Sequence, residues 1–175
     1  MSLKLKNWYV LYVKSKQEKK VHERLKELQI ESFLPMIQTI SNWSDRKKLI
    51  SKPLFPSYIF VKLRESKDFN LALSVTGACL YLKTGKTYSI VRQEEIEAVK
   101  VFLGLDGLKE VEVKRNLPKP GEIQKITSGP LCGKECEIIN VNNINKIVVR
   151  LNSINQSIIA RIPLYYLNES KLISA

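Results

Sequence analysis

Two short runs carry the densest hydrophobic pattern in the chain: Trp8-Tyr9-Val10-Leu11-Tyr12-Val13 and Leu54-Phe55-Pro56-Ser57-Tyr58-Ile59-Phe60-Val61-Lys62-Leu63. Both predict β-strands, because aromatic and β-branched residues dominate them. Side chains alternate along a strand, so Tyr58 and Phe60 share one face while Ile59 and Val61 share the other. In the earlier run Trp8, Val10 and Tyr12 oppose Tyr9, Leu11 and Val13. Each strand therefore has two apolar faces. One can enter the core; the second must be covered by another layer or offered to a partner. Pro56 has no N–H to donate, which places it at the first residues of a strand or on an edge.

Between these runs the period changes. Val21, Leu25 and Leu28 fall at helical spacing and predict an amphipathic helix over 16–29, with Lys16, Lys19, Lys20 and Lys26 off its apolar stripe. Ser15-Lys16-Gln17-Glu18 fits a capping box, Ser15 as N-cap and Glu18 reaching back. Residues 33–40 read as extended and 41–52 as a polar, basic hairpin or loop. After the second run, Phe69, Leu71, Ala72, Leu73 and Val75 predict a short helix ending near Thr76-Gly77, where Gly77 suits a left-handed cap. A strand over 78–83 turns at Thr84-Gly85-Lys86. Ile96, Val99, Val101 and Phe102 then mark a third helix over 93–103, with Glu94, Glu95 and Glu97 near its positive end.

The stretch from Gly104 to Pro120 breaks the pattern with glycine, proline and charge, and reads as a linker. Beyond it, short Ile/Val runs separated by Asn, Ser and Gly predict four or five strands at turn spacing, a small barrel. The predicted fold class is α+β: an antiparallel sheet with flanking helices over 1–106, a linker over 107–119, and an all-β barrel over 120–175.

Composition sharpens the functional side. An apolar share of 44% in 175 residues supports a core without metal or disulfide staples. The 29 basic and 17 acidic side chains leave +12, and residues 1–62 alone hold 13 basic against 5 acidic, a balance of +8. Such an excess favours nucleic acid or an acidic protein surface. Lys14, Lys16, Lys19 and Lys20 are candidate phosphate contacts, which position a protein without reading sequence. Arg46-Lys47-Lys48 forms a second basic cluster, and Tyr12, Tyr58 and Phe60 are able either to stack on unpaired bases or to fill the core. No run is long enough for a signal peptide or membrane span. Cys79, Cys132 and Cys136 have no framework spacing, which fits reduced thiols in the cytoplasm; Cys132 and Cys136 read as small buried hydrophobes.

Catalysis has little to build on. His22 is the only histidine, so neither a Ser/His/Asp constellation nor a His-rich metal site can form. No Gly-rich phosphate cradle is present, and Glu94 and Glu95 read as a solvated helix start. No cofactor or metal is expected. The chain reads as a binding protein, not an enzyme.

The order of elements resembles NusG-type transcription elongation factors, which join an NGN domain through a linker to a KOW domain. Trp8-Tyr9-Val10 with the basic helix resembles the family's opening, and Leu54-Phe55-Pro56-Ser57-Tyr58-Ile59-Phe60-Val61 resembles its F-P-x-Y-hydrophobic signature. Thr76-Gly77 before a strand resembles its turn after the second helix. The stretch from Gly121 to Val141, with Gly129-Pro130-Leu131-Cys132-Gly133, resembles the KOW motif. Leu34-Pro35-Met36, Leu11-Tyr12 and Pro53-Leu54-Phe55-Pro56 are similar to the specialised RfaH and UpxY paralogues. Ser57 stands where NusG commonly has glycine, and Cys136 where many KOW motifs have a second glycine.

The resemblance implies a monomeric cytoplasmic factor whose aromatic patch, here Tyr12, Phe55, Pro56, Tyr58 and Phe60, docks on the β′ clamp helices of RNA polymerase. Lys14 and Lys20 match positions near upstream or non-template DNA in RfaH-like proteins. The KOW motif residues Gly121, Gly129, Pro130 and Gly133 would belong to a barrel that recruits a small-subunit ribosomal protein or a termination factor. The implied activity is elongation or antitermination on long operons such as polysaccharide clusters. The alternative is a ribosome-associated or RNA-binding KOW protein. RfaH-like proteins can fold the last segment as a helical hairpin; the Ile/Val/Asn-rich sequence here favours strands.

Overall fold

The first hydrophobic run forms strand β1, Asn7–Val13, in a computed structural model that describes residues 7–42, 47–115, 120–128, 132–141, 144–163 and 166–167. Helix α1 (Glu18–Glu27) follows, then β2 (Glu31–Phe33), a ribbon of β3 (Met36–Asn42) and β4 (Lys47–Pro53), and β5 (Tyr58–Leu63). Helix α2 (Ser66–Leu73) precedes β6 (Ala78–Tyr81), and the small pair β7 (Lys83–Thr84) and β8 (Thr87–Tyr88) leads to β9 (Ile90–Val91). Helix α3 spans Gln93–Leu103. The remainder is β10 (Lys109–Lys114), β11 (Glu122–Lys125), β12 (Glu135–Val141), β13 (Ile144–Leu151) and β14 (Gln156–Arg161). The chain divides into two compact units, residues 1–93 and 94–175.

In the first unit an antiparallel sheet runs β2-β5-β1-β6, with β9 also pairing β1. The two hydrophobic runs lie side by side at its centre, Val10 opposite Phe60 and Tyr12 opposite Tyr58. Tyr9, Leu11, Val13, Ile59, Val61 and Leu63 enter one core cluster with Val21 and Leu25 of α1 and Ala72 of α2. That face of each run goes into the core, as the alternation predicts. The ribbon of β3 and β4 pairs from Met36 opposite Pro53 to Asn42 opposite Lys47.

Local chemistry moves the helix starts. Helix α1 begins at Glu18 with Gln17 as N-cap, not at Ser15, because Lys16 takes a left-handed turn at φ 64° and ends the capping-box geometry. The Glu18 carboxylate accepts the Ser57 N–H instead. Helix α2 begins three residues ahead of its apolar stripe, where the Asp68 carboxylate accepts the Arg64 and Glu65 N–H groups. Gly77 does adopt φ +102°, but it lies four residues past the end of α2, whose C-cap is the right-handed Ser74; a Cβ on Gly77 would meet Gln17 Oε1 at 2.6 Å.

The second unit carries a five-stranded antiparallel sheet in the order β10-β14-β13-β12-β11. Ile138, Ile147, Val148, Leu151, Ile158 and Ala160 are among its buried side chains. The Ile/Val runs are strands, as expected. Residues 109–114, inside the stretch expected as a linker, form β10: Lys-Glu-Val-Glu-Val-Lys alternates with period two, and Val111 and Val113 are the half-buried positions. Glu95, expected as solvated, is buried and accepts the Ser153 N–H at 3.1 Å and its hydroxyl at 2.5 Å. Cys136 is buried, and burial pushes its thiol up to about 11; Cys132 is exposed, against expectation, because it lies on a turn before β12.

Candidate functional site

The second face of the central strands is split. At one end Trp8, Val10 and Phe60 are fully covered. Phe60 is 0% exposed, stacked on Phe33 at 6.2 Å and met edge-on by Phe55 at 5.7 Å. Phe55 itself is 1% exposed. The exposed patch expected from Phe55 and Phe60 is therefore corrected: Phe60 packs between Phe55 and the half-buried Phe33 of other segments, which an alternation pattern cannot register.

At the other end the face is open. Tyr58 on β5, Tyr12 on β1 and Leu80 on β6 are directly opposed across three strands. Opposed residues of an antiparallel pair point to the same face. Tyr12 is 40% exposed and Leu80 53%, Tyr58 is half-buried, and Pro56 beside it is exposed. The Tyr12 and Tyr58 rings meet edge-to-face at 5.8 Å. Leu80 joins the site without a sequence signal of its own. Its strand was legible, but only the register of β6 on β1 places it beside Tyr12.

The turn presenting Pro56 and Tyr58 is held from four directions. Leu54 N–H donates to Pro35 O at 2.8 Å, and Tyr58 N–H closes the turn on Phe55 O at 3.2 Å. Ser57 sits between them at φ 64°. Its carbonyl accepts Val13 N–H at 2.9 Å, and its own N–H donates to Glu18 Oε1 at 2.9 Å.

Lys14, Lys16, Lys19 and Lys20 are all exposed, gathered between the end of β1 and the first turn of α1. A helix N-terminus is the positive end of its dipole, so lysines there oppose stability and favour an anionic partner. Arg46 lies outside the described residues, as do the side chains of Lys47 and Lys48. His22 Nδ1 pairs with Ser32 Oγ at 2.9 Å; burial lowers its pKa, so the ring is held toward its neutral form. Among the described residues no group of His, Cys, Asp and Glu is arranged to hold a metal ion.

In the second unit, Gly121 N–H donates to Glu137 Oε1 at 2.7 Å. Arg150 grips the same carboxylate through Nε at 2.7 Å and Nη2 at 2.6 Å, and this pairing holds Glu137 below the usual carboxylate range. A Cβ on Gly121 would land 2.2 Å from the Ile138 carbonyl oxygen. Gly133, at φ +89°, turns the chain before β12. Gly129 and Pro130 lie outside the described residues.

The family model described as "Transcription termination factor nusG" matches residues 6–100, more than half of the chain and the whole of the sheet just described. The chain belongs to the NusG family. It is a transcription termination/antitermination factor of that family. The NusG of Streptococcus pyogenes is 25% identical over 177 residues, covering 94% of this chain and 96% of that protein. The NusG of Rickettsia typhi is 25% identical over 136 residues, covering 72% and 70%. A solved structure on domain interaction in Thermotoga maritima NusG overlaps 89% of this chain and 93% of its own, at 22% identity and a TM-score of 0.48. No described helix is long and apolar enough to cross a membrane.

Proposed function

We propose that this NusG-family factor binds RNA polymerase through the open end of its first sheet and favours processive elongation. The observation that carries the reading is the row Tyr58–Tyr12–Leu80 with Pro56 at its end: apolar side chains in register across three strands with one side toward solvent. Exposed aromatic rows of this kind mark protein–protein contacts. The β′ clamp helices are the partner that the family resemblance implies. A bridge across the polymerase cleft acts only through differential affinity for the closed, elongating state. Lys14, Lys16, Lys19 and Lys20 then face upstream or non-template DNA, where backbone phosphates are the natural counter-charge.

The second unit is read as the KOW domain, recruiting a small-subunit ribosomal protein or a termination factor. The first part is proposed to end near residue 106 and the second to begin with β10, since Lys109–Lys114 pairs with β14. The factor acts as a cytoplasmic monomer without catalytic chemistry or cofactor. Leu34-Pro35-Met36 and Pro53-Leu54-Phe55-Pro56 support a specialised RfaH/UpxY-like member serving long operons such as polysaccharide clusters.

A pull-down with polymerase core tests the reading. Tyr12→Ala and Tyr58→Ala should each weaken binding by about 2 kcal/mol, the scale of an aromatic interface anchor. Undiminished retention of both variants, together with tight binding of the wild type to free RNA, would replace this reading with a ribosome-associated or RNA-binding role.

A further inference from the structure

We infer that Glu18 is the positioning residue of the docking surface, holding the Phe55–Tyr58 turn in a left-handed conformation that Ser57 would not keep unaided. The inference rests on the docking reading above. Ser57 has φ 64°, a region L side chains rarely adopt. It is also buried, so its N–H cannot turn to water. The group that satisfies it is the carboxylate of Glu18, itself only 5% exposed, at 2.9 Å.

This placement is unusual for a glutamate. The sequence puts Glu18 in the first turn of α1, where its carboxylate would ordinarily cap its own helix. Here it leaves the helix without a side-chain cap bond and spends an oxygen on a residue 39 positions away. Burial of an acidic side chain is costly unless it is hydrogen-bonded. A left-handed serine is costly as well. Each resolves the other: the buried carboxylate gains a donor, and the N–H of the buried, left-handed serine gains an acceptor.

The consequence lies next door. Pro56 precedes Ser57 and Tyr58 follows it, so relaxation of Ser57 to negative φ would redirect both. Tyr58 would lose its edge-to-face position on Tyr12, now at 5.8 Å. The same carboxylate ties the turn to the first turn of α1, which carries Lys19 and Lys20. The Glu18 side chain thus ties the aromatic row to the lysines of α1, beside the backbone bond from Val13 N–H to the Ser57 carbonyl.

The test measures binding of the full chain to immobilised polymerase core, with Tyr58→Ala as reference and circular dichroism as the check on folding. Glu18→Ala should bind about tenfold more weakly, the loss expected for one hydrogen bond to a charged group. Glu18→Gln keeps an acceptor oxygen and should stay within about threefold of wild type. Glu18→Ala with Ser57→Gly should recover most of the loss, since glycine holds φ > 0 at no steric cost. Wild-type binding by Glu18→Ala alongside a defective Tyr58→Ala overturns the inference, and so does failure of both rescues. Should Tyr58→Ala bind like wild type, the docking reading falls and the positioning claim is decided by amide exchange. In Glu18→Ala the Ser57 amide should then exchange at least about tenfold faster; an unchanged rate overturns it.

Discussion

Among the carboxylates that accept a backbone N–H, Glu18 in the first unit and Glu137 in the second solve different problems. Glu18 holds Ser57, whose backbone is in a glycine-like conformation but whose surroundings admit a side chain. Glu137 holds Gly121, whose surroundings admit none, since a Cβ would stand 2.2 Å from a backbone oxygen and 2.6 Å from Ile139 Cγ2. A position that favours glycine can thus do so through torsion or through space. At Ser57 the obstacle is torsional, and a remote hydrogen bond to its N–H is able to offset it without demanding glycine. At Gly121 the obstacle is main chain, and no side-chain partner can remove it.

The strongest attempt to break this contrast is Gly121→Ala. Because the obstructing atoms belong to β12 itself, accommodation means shifting the β11–β12 pairing. The expected loss is roughly 3 kcal/mol, the upper range for overpacking, read from the urea midpoint of the full chain. Ser57→Ala, adding nothing beyond an existing Cβ, should stay within about 0.5 kcal/mol of wild type. Equal effects at the two sites would refute the division into space and torsion.

Removing the cation separates the carboxylates further. Arg150→Met leaves Glu137 largely buried with the Gly121 N–H as a remaining donor and should cost about 2 kcal/mol at neutral pH. The pH dependence follows from the direction of the shift. Arg150 lowers the folded pKa of Glu137 below its unfolded value, so the unfolded chain binds the extra proton as acid is added. The stabilisation is complete above the ordinary carboxylate pKa and is lost as pH falls through the lower, folded one. Urea midpoints taken down through roughly pH 5 to pH 2 should fall less steeply in Arg150→Met than in wild type. Parallel curves would remove the pair from the acid response.

How much of this was legible in the sequence depends on the range of the interaction. Strands β1 and β5 and their core faces follow from alternation alone, since Ile59 and Val61 need only a sheet and a helix layer. The fate of the second face does not. Phe60 and Tyr58 are two residues apart on one strand, yet one is sealed by Phe33 and Phe55 while the other borders solvent. That distinction is made by segments far along the chain, and so is the selection of Leu80 by the register of β6. The helix starts fail for a related reason. Ser15 and Glu18 satisfy a local capping rule, but the left-handed Lys16 and the pull of the Ser57 N–H override it. Strand β10 lay hidden because glycines and prolines flank a short period-two segment whose partner, β14, begins more than forty residues later.

The smallest effect expected is also the one that isolates torsion. Ser57→Gly changes neither the Glu18 hydrogen bond nor the Val13 pairing, because both use backbone atoms of residue 57. It removes a left-handed penalty of about 1 kcal/mol, while glycine adds unfolded-state entropy that takes back roughly half of it or more. The net should be a gain of about 0.5 kcal/mol or less in the urea midpoint, with docking unchanged because the turn is already held. Were the serine conformation imposed by local sequence instead of by Glu18, the gain would be the same whether or not Glu18 is present. If Glu18 imposes it, the glycine should matter more in the Glu18→Ala background, where the alternative open to serine is to leave the left-handed region and glycine need not. A double-mutant cycle with non-zero coupling between positions 18 and 57 is the measurement that separates the two.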